Sequence, residues 1–285
     1  MSTPSPAPEL ETAIDRVIED ALAEDIGTGD VTSRAVIPPD LHFHGVMAAR
    51  EPMVVAGLPF ILEVFRRVVP EAKVTLQAKD GDKVEAGTVL ALLDGPAIGL
   101  LTAERTALNL LQHLSGIATL TRRYADAIAA SRAVLLDTRK TIPGLRQLAK
   151  YAAKMGGAKN HRMGLYDGVL IKDNHIAVCG SVAEAVRGAK AYTDLPVEVE
   201  CDFIEQVAEA VEAGADIILL DNMTPTKLRE AVALIGGRAK TEASGGVTLE
   251  TIAEIAATGV DFISVGRLTQ SAPAVDIGLD WETPL

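Results

Sequence analysis

Apolar residues in the first part of the chain follow two different spacings. Between Leu10 and Ala23 they recur at helical spacing, which predicts an opening helix. Shorter strand-like runs follow, separated by turn residues at 80–82 and 94–96, and a long apolar-faced helix is predicted after them. The runs are Gly45–Ala56, Ala72–Lys79 and Thr88–Leu93, and the helix is Leu101–Ala130. The pattern predicts a small N-terminal α+β domain of the hammerhead or sandwich kind.

After Ala133 the pattern changes to apolar strands that alternate with amphipathic helices, which is typical of βαβ units and a parallel sheet. The predicted strands are Val134–Lys140, Gly168–His175, Pro196–Cys201, Asp216–Asn222, Ala239–Gly246 and Phe262–Arg267, and the predicted helices are Leu145–Met155, Val182–Lys190, Ile204–Ala213, Pro225–Ile235 and Leu249–Thr258. The fold class is therefore α/β, with a C-terminal parallel (β/α) TIM-like barrel that is incomplete and has six to seven strands. The predicted domains are 1–115 and 116–271, and the tail 272–285 is expected to pack back on the first.

Each predicted barrel strand begins apolar and ends in polar or charged residues. In a parallel barrel the carboxyl ends of the strands meet on one face, where the active sites of such barrels lie. The sequence therefore predicts a polar site at this face.

Composition and charge narrow the class of protein. The 285 residues are 48% hydrophobic and 4% aromatic, which suits strands buried on both faces by aliphatic side chains. The net charge of −12 argues against nucleic acid and anionic membranes as partners. The two cysteines, Cys179 and Cys201, predict reduced thiols and a cytoplasmic location. Residues 1–8 predict a frayed terminus and no targeting signal.

Positive charge is concentrated in residues 137–172, where eight Lys and Arg face two acids. Four of the eight, at helical spacing, are expected on a solvated helix face: Arg146, Lys150, Lys154 and Lys159. The other four lie at strand ends or in a Gly-rich connection and are expected in a pocket: Arg139, Lys140, Arg162 and Lys172. Because arginine binds carboxylates in a bidentate manner and lysine serves phosphate as a point charge, this pocket suits carboxylate and phosphate substrates.

Further candidates lie at the other strand ends. Ser244-Gly245-Gly246 and Gly266 offer backbone N–H groups to a phosphate. Glu200 and Asp221 are candidates for holding Mg²⁺ on a diphosphate, for binding sugar hydroxyls, or for pairing with the pocket lysines. His161 is either a donor to a carboxylate, a proton relay or a structural histidine.

Two other functions fit parts of the pattern. A lysine at a barrel strand end, such as Lys172, also suits Schiff-base chemistry. Residues 78–87 are similar to a biotin- or lipoyl-carrier half-barrel, which would make the chain a carrier, but a hairpin with a modifiable lysine beside methionine is absent from the sequence.

The motifs as a set resemble the quinolinate phosphoribosyltransferases, the carboxylating nicotinate-nucleotide pyrophosphorylases of the type II phosphoribosyltransferases, over most of the chain from Glu24 to Asp280. The residues that carry the resemblance are Glu24–Thr32, Glu104–Asn109, Asp137–Arg146, Asn160-His161-Arg162, Leu170–His175, Glu200, Asp221 and Ser244-Gly245-Gly246.

The resemblance implies a reaction, a set of ligands and a homodimer. Quinolinate would be bound by Arg105, Arg139, Lys140, His161, Arg162 and Lys172. Phosphoribosyl pyrophosphate would be bound by Lys140, Lys172, Asn174, Glu200, Asp221, Ser244, Gly245, Gly246, Gly266 and Gln270. The catalytic residues would be Lys140, Lys172, Glu200 and Asp221. The cofactor would be Mg²⁺, held by Glu200 and Asp221 directly or through water or diphosphate. Arg105 would complete the site of the neighbouring subunit, and dimers would be able to assemble further.

One segment departs from the family pattern. The family usually shows Gly-Ala-Leu-Thr-His-Ser after the last strand, where this chain has Gly266-Arg267-Leu268-Thr269-Gln270-Ser271. An amide thus replaces an imidazole near the expected phosphate, and Arg267 is either an additional phosphate ligand or a surface residue. Relatives with a changed substrate, such as a nicotinate phosphoribosyltransferase or a molybdate-operon paralogue, are the nearest alternative. The arginines at 105, 139 and 162 favour a dicarboxylate.

Overall fold

A computed structural model describes residues 8–281, which divide into two compact units. Among the described residues, the first consists of 8–122, 141–156 and 271–281, and the second of Arg123–Lys140 and Gly157–Gln270. The predicted frayed terminus lies outside the described residues except for its last position. Among the described residues, no helix is both long enough and apolar enough to cross a membrane.

The first unit is built around antiparallel strands. Its elements, in chain order, are α1 (Pro8–Ile26), α2 (Val31–Val36), β1 (His42–Ala49), β2 (Met53–Val54), α3 (Leu58–Val68), β3 (Lys73–Leu76), β4 (Lys83–Val84), β5 (Val89–Pro96), α4 (Ala97–Ala127, which runs on into the second unit), α5 (Arg146–Gly156) and β12 (Ile277–Trp281). One sheet has the order β12-β1-β5-β3, and β2 pairs with β4. The sequence correctly predicted an α+β unit here.

Helix α3 was missed in the sequence analysis, which placed no element between residues 57 and 71. Its apolar face buries Leu58, Ile61 and Phe65. The helix begins where the Asp80 carboxylate accepts hydrogen bonds from the backbone N–H groups of Gly57 and Leu58, at 2.8 and 3.0 Å. This cap comes from a turn more than twenty residues away, so it leaves no local capping signal in the sequence.

The turn predicted at 94–96 was wrong, because these residues complete strand β5. Gly95 pairs with Phe43 of β1. A side chain at position 95 would place its Cβ 2.7 Å from the Cβ of Ala72. Gly95 therefore reflects close packing of strand β5 against Ala72 and not a chain reversal.

The second unit has a six-stranded parallel sheet with the order β6-β11-β10-β9-β8-β7. Its strands are β6 (Val134–Leu136), β7 (Val169–Ile171), β8 (Val197–Cys201), β9 (Ile217–Asp221), β10 (Lys240–Ser244) and β11 (Phe262–Ser264), and its helices are α6 (Asp173–Cys179), α7 (Val182–Tyr192), α8 (Ile204–Glu212), α9 (Pro225–Ile235), α10 (Ile252–Ala256) and α11 (Arg267–Gln270). Strand β6 lies at one edge of the sheet, next to β11, and Leu136 of β6 also forms a bridge to Lys159. The predicted incomplete barrel of six to seven strands is confirmed.

Three barrel strands end three or four residues before their predicted carboxyl ends. Strands β6, β7 and β11 end at Leu136, Ile171 and Ser264, and the polar residues that follow lie in loops or in the first turn of α6 or α11. These polar residues therefore leave the hydrogen-bonded sheet at the face where the cavity described below opens.

Candidate active site

A cavity of about 390 Å³ opens at the carboxyl ends of the barrel strands. Its lining residues come from all six strands or the segments just after them, and from the loop before β7: Thr138, Arg139, Lys140, His161, Arg162, Leu170, Lys172, Glu200, Leu219, Asp221, Glu242, Ser244 and Ser264. Four of them are arginine or lysine.

The two-residue repeat of a strand explains which side chains line this cavity. In β8 Val197, Val199 and Cys201 are fully buried, whereas Glu200 lines the cavity. The same alternation places Glu242 and Ser244 of β10 on the cavity side, while Ala243 is buried between them. Successive side chains of a strand point to opposite faces, so polar residues two apart share the barrel interior.

A buried carboxylate joins the first barrel strand to the Asn160-His161-Arg162 segment. Asp137 is fully buried and accepts hydrogen bonds from the Asn160 side-chain amide, at 2.6 Å, and from the His161 backbone N–H, at 2.8 Å. Because Arg139 follows this carboxylate in the chain and Arg162 follows the segment that it holds, Asp137 keeps the two arginines at one cavity.

The arginine pair is electrostatically strained. Burial, and next the nearby Arg139 guanidinium, lower the pKa of Arg162 below its usual range. One Arg162 nitrogen, Nη1, donates to the Gly168 carbonyl at 3.0 Å, which holds the side chain in place. Two like charges brought together at a cavity favour an anion between them.

The two cavity lysines have different surroundings. The Lys172 ammonium donates to the Glu200 carboxylate on the neighbouring strand. Lys140 passes over Gly266, where an added Cβ would lie 2.8 Å from the lysine Cδ, and the Lys140 carbonyl accepts from the Thr269 hydroxyl at 2.8 Å. Gly266 therefore leaves room for the lysine stem.

The segment predicted to bind phosphate packs against the end of strand β9. Asn222 is the one non-glycine residue with a positive φ, 53°, among residues 8–281. Gly245, at φ 87°, lies so close to it that an added Cβ would be 2.3 Å from the Asn222 side-chain oxygen. Burial, and next the nearby Asp202 carboxylate, raise the pKa of Asp221. Only glycine fits both the backbone conformation and the space at position 245.

His161 faces two buried carboxyl groups. Its Nε2 lies 3.1 Å from Glu198 and 3.7 Å from Glu242, and its Nδ1 accepts the Arg162 backbone N–H at 2.8 Å. Burial, and next the neighbouring Glu198, raise the pKa of Glu242 well above its usual range. Among the described residues, these three also form a cluster that could hold a metal ion, with one ligand atom from each within 4.8 Å of the others.

Comparison with known protein families accounts for nearly all of the chain. The family model of the quinolinate phosphoribosyl transferase C-terminal domain matches residues 117–280, and the model of the N-terminal domain matches residues 30–115. The chain belongs to the quinolinate phosphoribosyltransferase family.

Individual members of the family are similar to the chain over most of their length. A probable carboxylating nicotinate-nucleotide pyrophosphorylase of Bacillus subtilis is 46% identical over 90% of this chain and 89% of its own. The carboxylating nicotinate-nucleotide pyrophosphorylase of Mycobacterium leprae is 45% identical over 95% and 98%. The solved structure of the nicotinate-nucleotide pyrophosphorylase from Francisella tularensis superposes with a TM-score of 0.93, at 39% identity, over 99% of this chain and 100% of that one.

Several site residues predicted for this phosphoribosyltransferase lie outside the cavity lining. Arg105 is exposed on helix α4 of the first unit. Asn174 is exposed on α6, Gln270 ends α11, and Gly245, Gly246 and Gly266 border lining residues. Arg267 is exposed, and its charge acts on Tyr124 and Glu250, so its position favours a surface residue over a cavity cation.

The solvated helix face predicted for four cations was wrong at two positions, because Lys150 is buried and Lys159 lies beyond the end of α5, where it bridges to Leu136. Lys150, in the middle of helix α5, is only 1% exposed. Lys154, on the same helix, is exposed as expected.

Four polar residues at or beside the cavity were missed as candidates. Thr138, Glu242 and Ser264 line it, and Glu198 lies next to His161. Their signal was in the sequence, since each lies two residues from a candidate or from the end of a strand, on the same face. A search at strand ends alone passes over side chains that lie deeper in the barrel.

Proposed function

We propose that this chain transfers the phosphoribosyl group of phosphoribosyl pyrophosphate to quinolinate and releases CO₂, giving nicotinate mononucleotide and diphosphate in de novo NAD biosynthesis. The observation that carries the proposal is the convergence of Arg139, Lys140, Arg162 and Lys172 on one cavity at the mouth of the barrel. The names of the relatives from Bacillus subtilis and Mycobacterium leprae support the same reaction.

The cavity divides into a carboxylate side and a phosphate side. Arg139 and Arg162, two forks at close quarters, suit the adjacent carboxylates of quinolinate. The loop Ser244-Gly245-Gly246, with Gly266 beside Lys140, suits the phosphate of the second substrate. Asn174 and Gln270 extend that side, while Lys140 and Lys172 serve both substrates.

The chemistry consists of two steps. The pyridine nitrogen forms a bond to C1 of the ribose as the bond to diphosphate breaks, and Glu200 and Asp221 stabilise the oxocarbenium-like charge. The bond from C2 to its carboxylate then breaks, CO₂ departs, and the electron pair left at C2 is stabilised by the adjacent positive pyridinium nitrogen until C2 takes a proton from solvent. Lys140 and Lys172 stabilise the charge developing at C2. Positioning of the two substrates supplies much of the rate enhancement.

The contact between Lys172 and Glu200 argues against Schiff-base chemistry. The nucleophile of such chemistry is a free amine, whereas the Lys172 side-chain nitrogen is engaged in an ion pair with Glu200. Lys172 therefore acts as a cation.

Magnesium fits the donor set at Glu200 and Asp221, which line one cavity from neighbouring strands. Mg²⁺ is usually held by one or two carboxylates together with substrate phosphates, so these two need not form a complete cage. When bound, the ion would neutralise charge on the diphosphate.

Arg105 joins the site from a second copy of the chain in this proposal. It is exposed on α4 and absent from the lining of the cavity. At a quinolinate concentration well below the KM of the Arg105→Ala and Arg139→Ala homodimers, where each alone is strongly impaired, mixing the two kinds of subunit should restore about a quarter of the wild-type activity. Half of the dimers are then mixed, and each mixed dimer has one intact site. If subunit exchange is verified and no activity is restored, the proposed contribution of Arg105 is contradicted.

We also propose a cytoplasmic location, because both cysteines are free thiols.

The decisive experiment offers the purified protein Mg²⁺, phosphoribosyl pyrophosphate and either quinolinate or nicotinate. The expected result is CO₂ and nicotinate mononucleotide in equal amounts with quinolinate, and little product with nicotinate. Mononucleotide from nicotinate without CO₂ from quinolinate would identify a relative with a changed substrate.

A further inference from the structure

Two carboxyl groups in the barrel interior have no part in the chemistry proposed above. Glu198 is 4% exposed and Glu242 is 1% exposed, on strands β8 and β10. Within the described part of the chain, the Oε1 atom of each is buried without a hydrogen-bond partner. Burial of an unsatisfied carboxyl oxygen costs free energy, and such groups are concentrated at functional sites.

The hydrogen bonds of His161 define its tautomer. Its Nδ1 accepts the Arg162 backbone N–H, so Nδ1 carries no proton. The ring is therefore neutral, and its single N–H is at Nε2, 3.1 Å from Glu198 and 3.7 Å from Glu242. This proton points toward the buried carboxyl pair.

The same tautomer argues against a metal ion at this cluster. An ion bound to Nε2 would require that nitrogen to lose its proton while Nδ1 still accepts from the backbone, which leaves an anionic ring. A hydrogen-bonded cluster satisfies the geometry without that cost.

The position of the His161 imidazole affects the substrate site through Arg162, the next residue in the chain. His161 is held at its backbone N–H by Asp137, at Nδ1 by the Arg162 N–H, and at Nε2 by Glu198 at 3.1 Å, with Glu242 next to it at 3.7 Å. The imidazole thus holds the backbone from which the Arg162 guanidinium extends, and a binding group held from several sides loses less entropy on binding.

We propose that Glu198 and Glu242 are positioning residues, which orient the His161 imidazole and, through it, Arg162 for binding of the substrate carboxylate. The proposal rests on the proposed function for the identity of that substrate. The orientation of the imidazole itself can be measured without turnover.

The first test separates positioning from stability. Glu198→Leu should leave the melting temperature unchanged or raised, because it removes one of two neighbouring buried carboxyl groups whose charges repel each other. The KM for quinolinate should nevertheless rise about tenfold, the effect of one lost hydrogen bond, with little change in kcat or in the KM for phosphoribosyl pyrophosphate. Glu198→Gln keeps a hydrogen-bond acceptor at this position, so its KM for quinolinate should return most of the way to the wild-type value.

Glu230→Leu is the matched control, since Glu230 is exposed in the middle of helix α9. It should leave both KM values unchanged. A fall in melting temperature and kcat together for Glu198→Leu, without rescue by glutamine, would indicate a structural role and overturn the proposal.

The second test reads the imidazole directly by NMR of protein labelled with ¹³C,¹⁵N-histidine, without substrate. The His161 signal, assigned by its loss in His161→Asn, should show the neutral Nε2–H tautomer in the wild type and a mixture of tautomers in Glu198→Leu. An Nδ1–H tautomer in the wild type, or no change in Glu198→Leu, would overturn the proposal even if the enzyme proves active on quinolinate.

The third test addresses the metal alternative. After dialysis against a chelator and incubation with Zn²⁺ or Mn²⁺, the substrate-free wild type and Glu242→Gln should retain the same amount of metal. Metal held by the wild type and lost from Glu242→Gln would replace the positioning pair with a metal site.

Discussion

The two ends of the barrel unit both have a cavity lined by charged side chains. The cavity at the amino ends of the strands, of about 510 Å³, is larger than the 390 Å³ cavity at the carboxyl ends. At the amino ends, two of the three lining cations pair with acids: Lys240 with Asp261 at 3.0 Å and Arg238 with Glu212 at 2.8 Å. Cavity volume alone would therefore point to the amino ends of the strands and not to the proposed active site.

The charged groups at the two ends differ in the direction of their pKa shifts. At the amino ends, burial raises the pKa of Asp261, but hydrogen bonds from Lys240 and Thr241 outweigh it and the net shift is downward, toward the charged form. At the carboxyl ends the pKa values of Asp221 and Glu242 are raised and that of Arg162 is lowered, each first because of burial. The amino end therefore stabilises the charged form of Asp261. At the carboxyl end the charged forms are disfavoured, as is common at sites that bind a ligand.

The largest expected effect is on binding at the carboxyl ends. Arg139→Ala or Arg162→Ala should each remove a charge-assisted interaction of roughly 1.5–3 kcal/mol. The KM for quinolinate should therefore rise roughly 10- to 150-fold, with a smaller change in the KM for phosphoribosyl pyrophosphate. Steady-state kinetics with each substrate varied in turn measures the split.

Arg238→Ala at the other end is the control for that comparison, and it should leave both KM values unchanged. An Arg139 or Arg162 variant that weakened only phosphoribosyl pyrophosphate binding would reverse the division of the cavity proposed above.

A smaller effect is expected on the pH dependence of stability at Glu242. Its folded pKa is raised above the usual value of 4.5, so the folded state binds more protons and stability falls as pH rises through that window. Glu242→Gln removes this loss, so the variant should match the wild type near about pH 5 and melt at a higher temperature near about pH 9. Thermal melts at matched ionic strength measure the gap, and a constant gap would show that Glu242 does not titrate in this range.

The smallest effect, of opposite sign, is expected at Asp261. Its pKa is lowered in the folded state, so its stabilisation is present above the usual value of 3.8 and is lost as pH falls. Asp261→Asn should cost at most about 1 kcal/mol near neutral pH, or roughly 2–4 °C, and less in acid. Kinetic constants should not change. A large loss of activity would mean that the amino-terminal cavity has a function that the charge pairing does not suggest.

Much of the barrel could be predicted because its signals are local. Helix α9 matches the predicted Pro225–Ile235, and strands β8, β9 and β10 lie within their predicted runs. The predicted elements were wrong where a contact with a residue distant in sequence sets the local structure. Asp80 caps α3 from a remote turn, and pairing with Phe43 of β1 makes Gly95 part of a strand.

The sequence by itself determined that polar residues gather at one end of the barrel. Parallel strands have their carboxyl ends on one face, and alternation with period two places residues such as Glu198 and Glu200 on the same side. The strand-end rule brought Arg139, Lys140 and Lys172 to one predicted pocket, and the Gly-rich connection before β7 added Arg162; the structure has all four there.

Only the tertiary structure decided how deep each group lies and which partner it meets. Glu198 and Glu200 share a face, but Glu200 meets Lys172 at the cavity, whereas Glu198 is buried beside His161. Depth depends on barrel closure, which brings strands β8 and β10 and the 160–162 segment together from distant parts of the chain. A linear pattern carries the direction of a side chain, but the environment that sets its pKa and its role comes from the other strands.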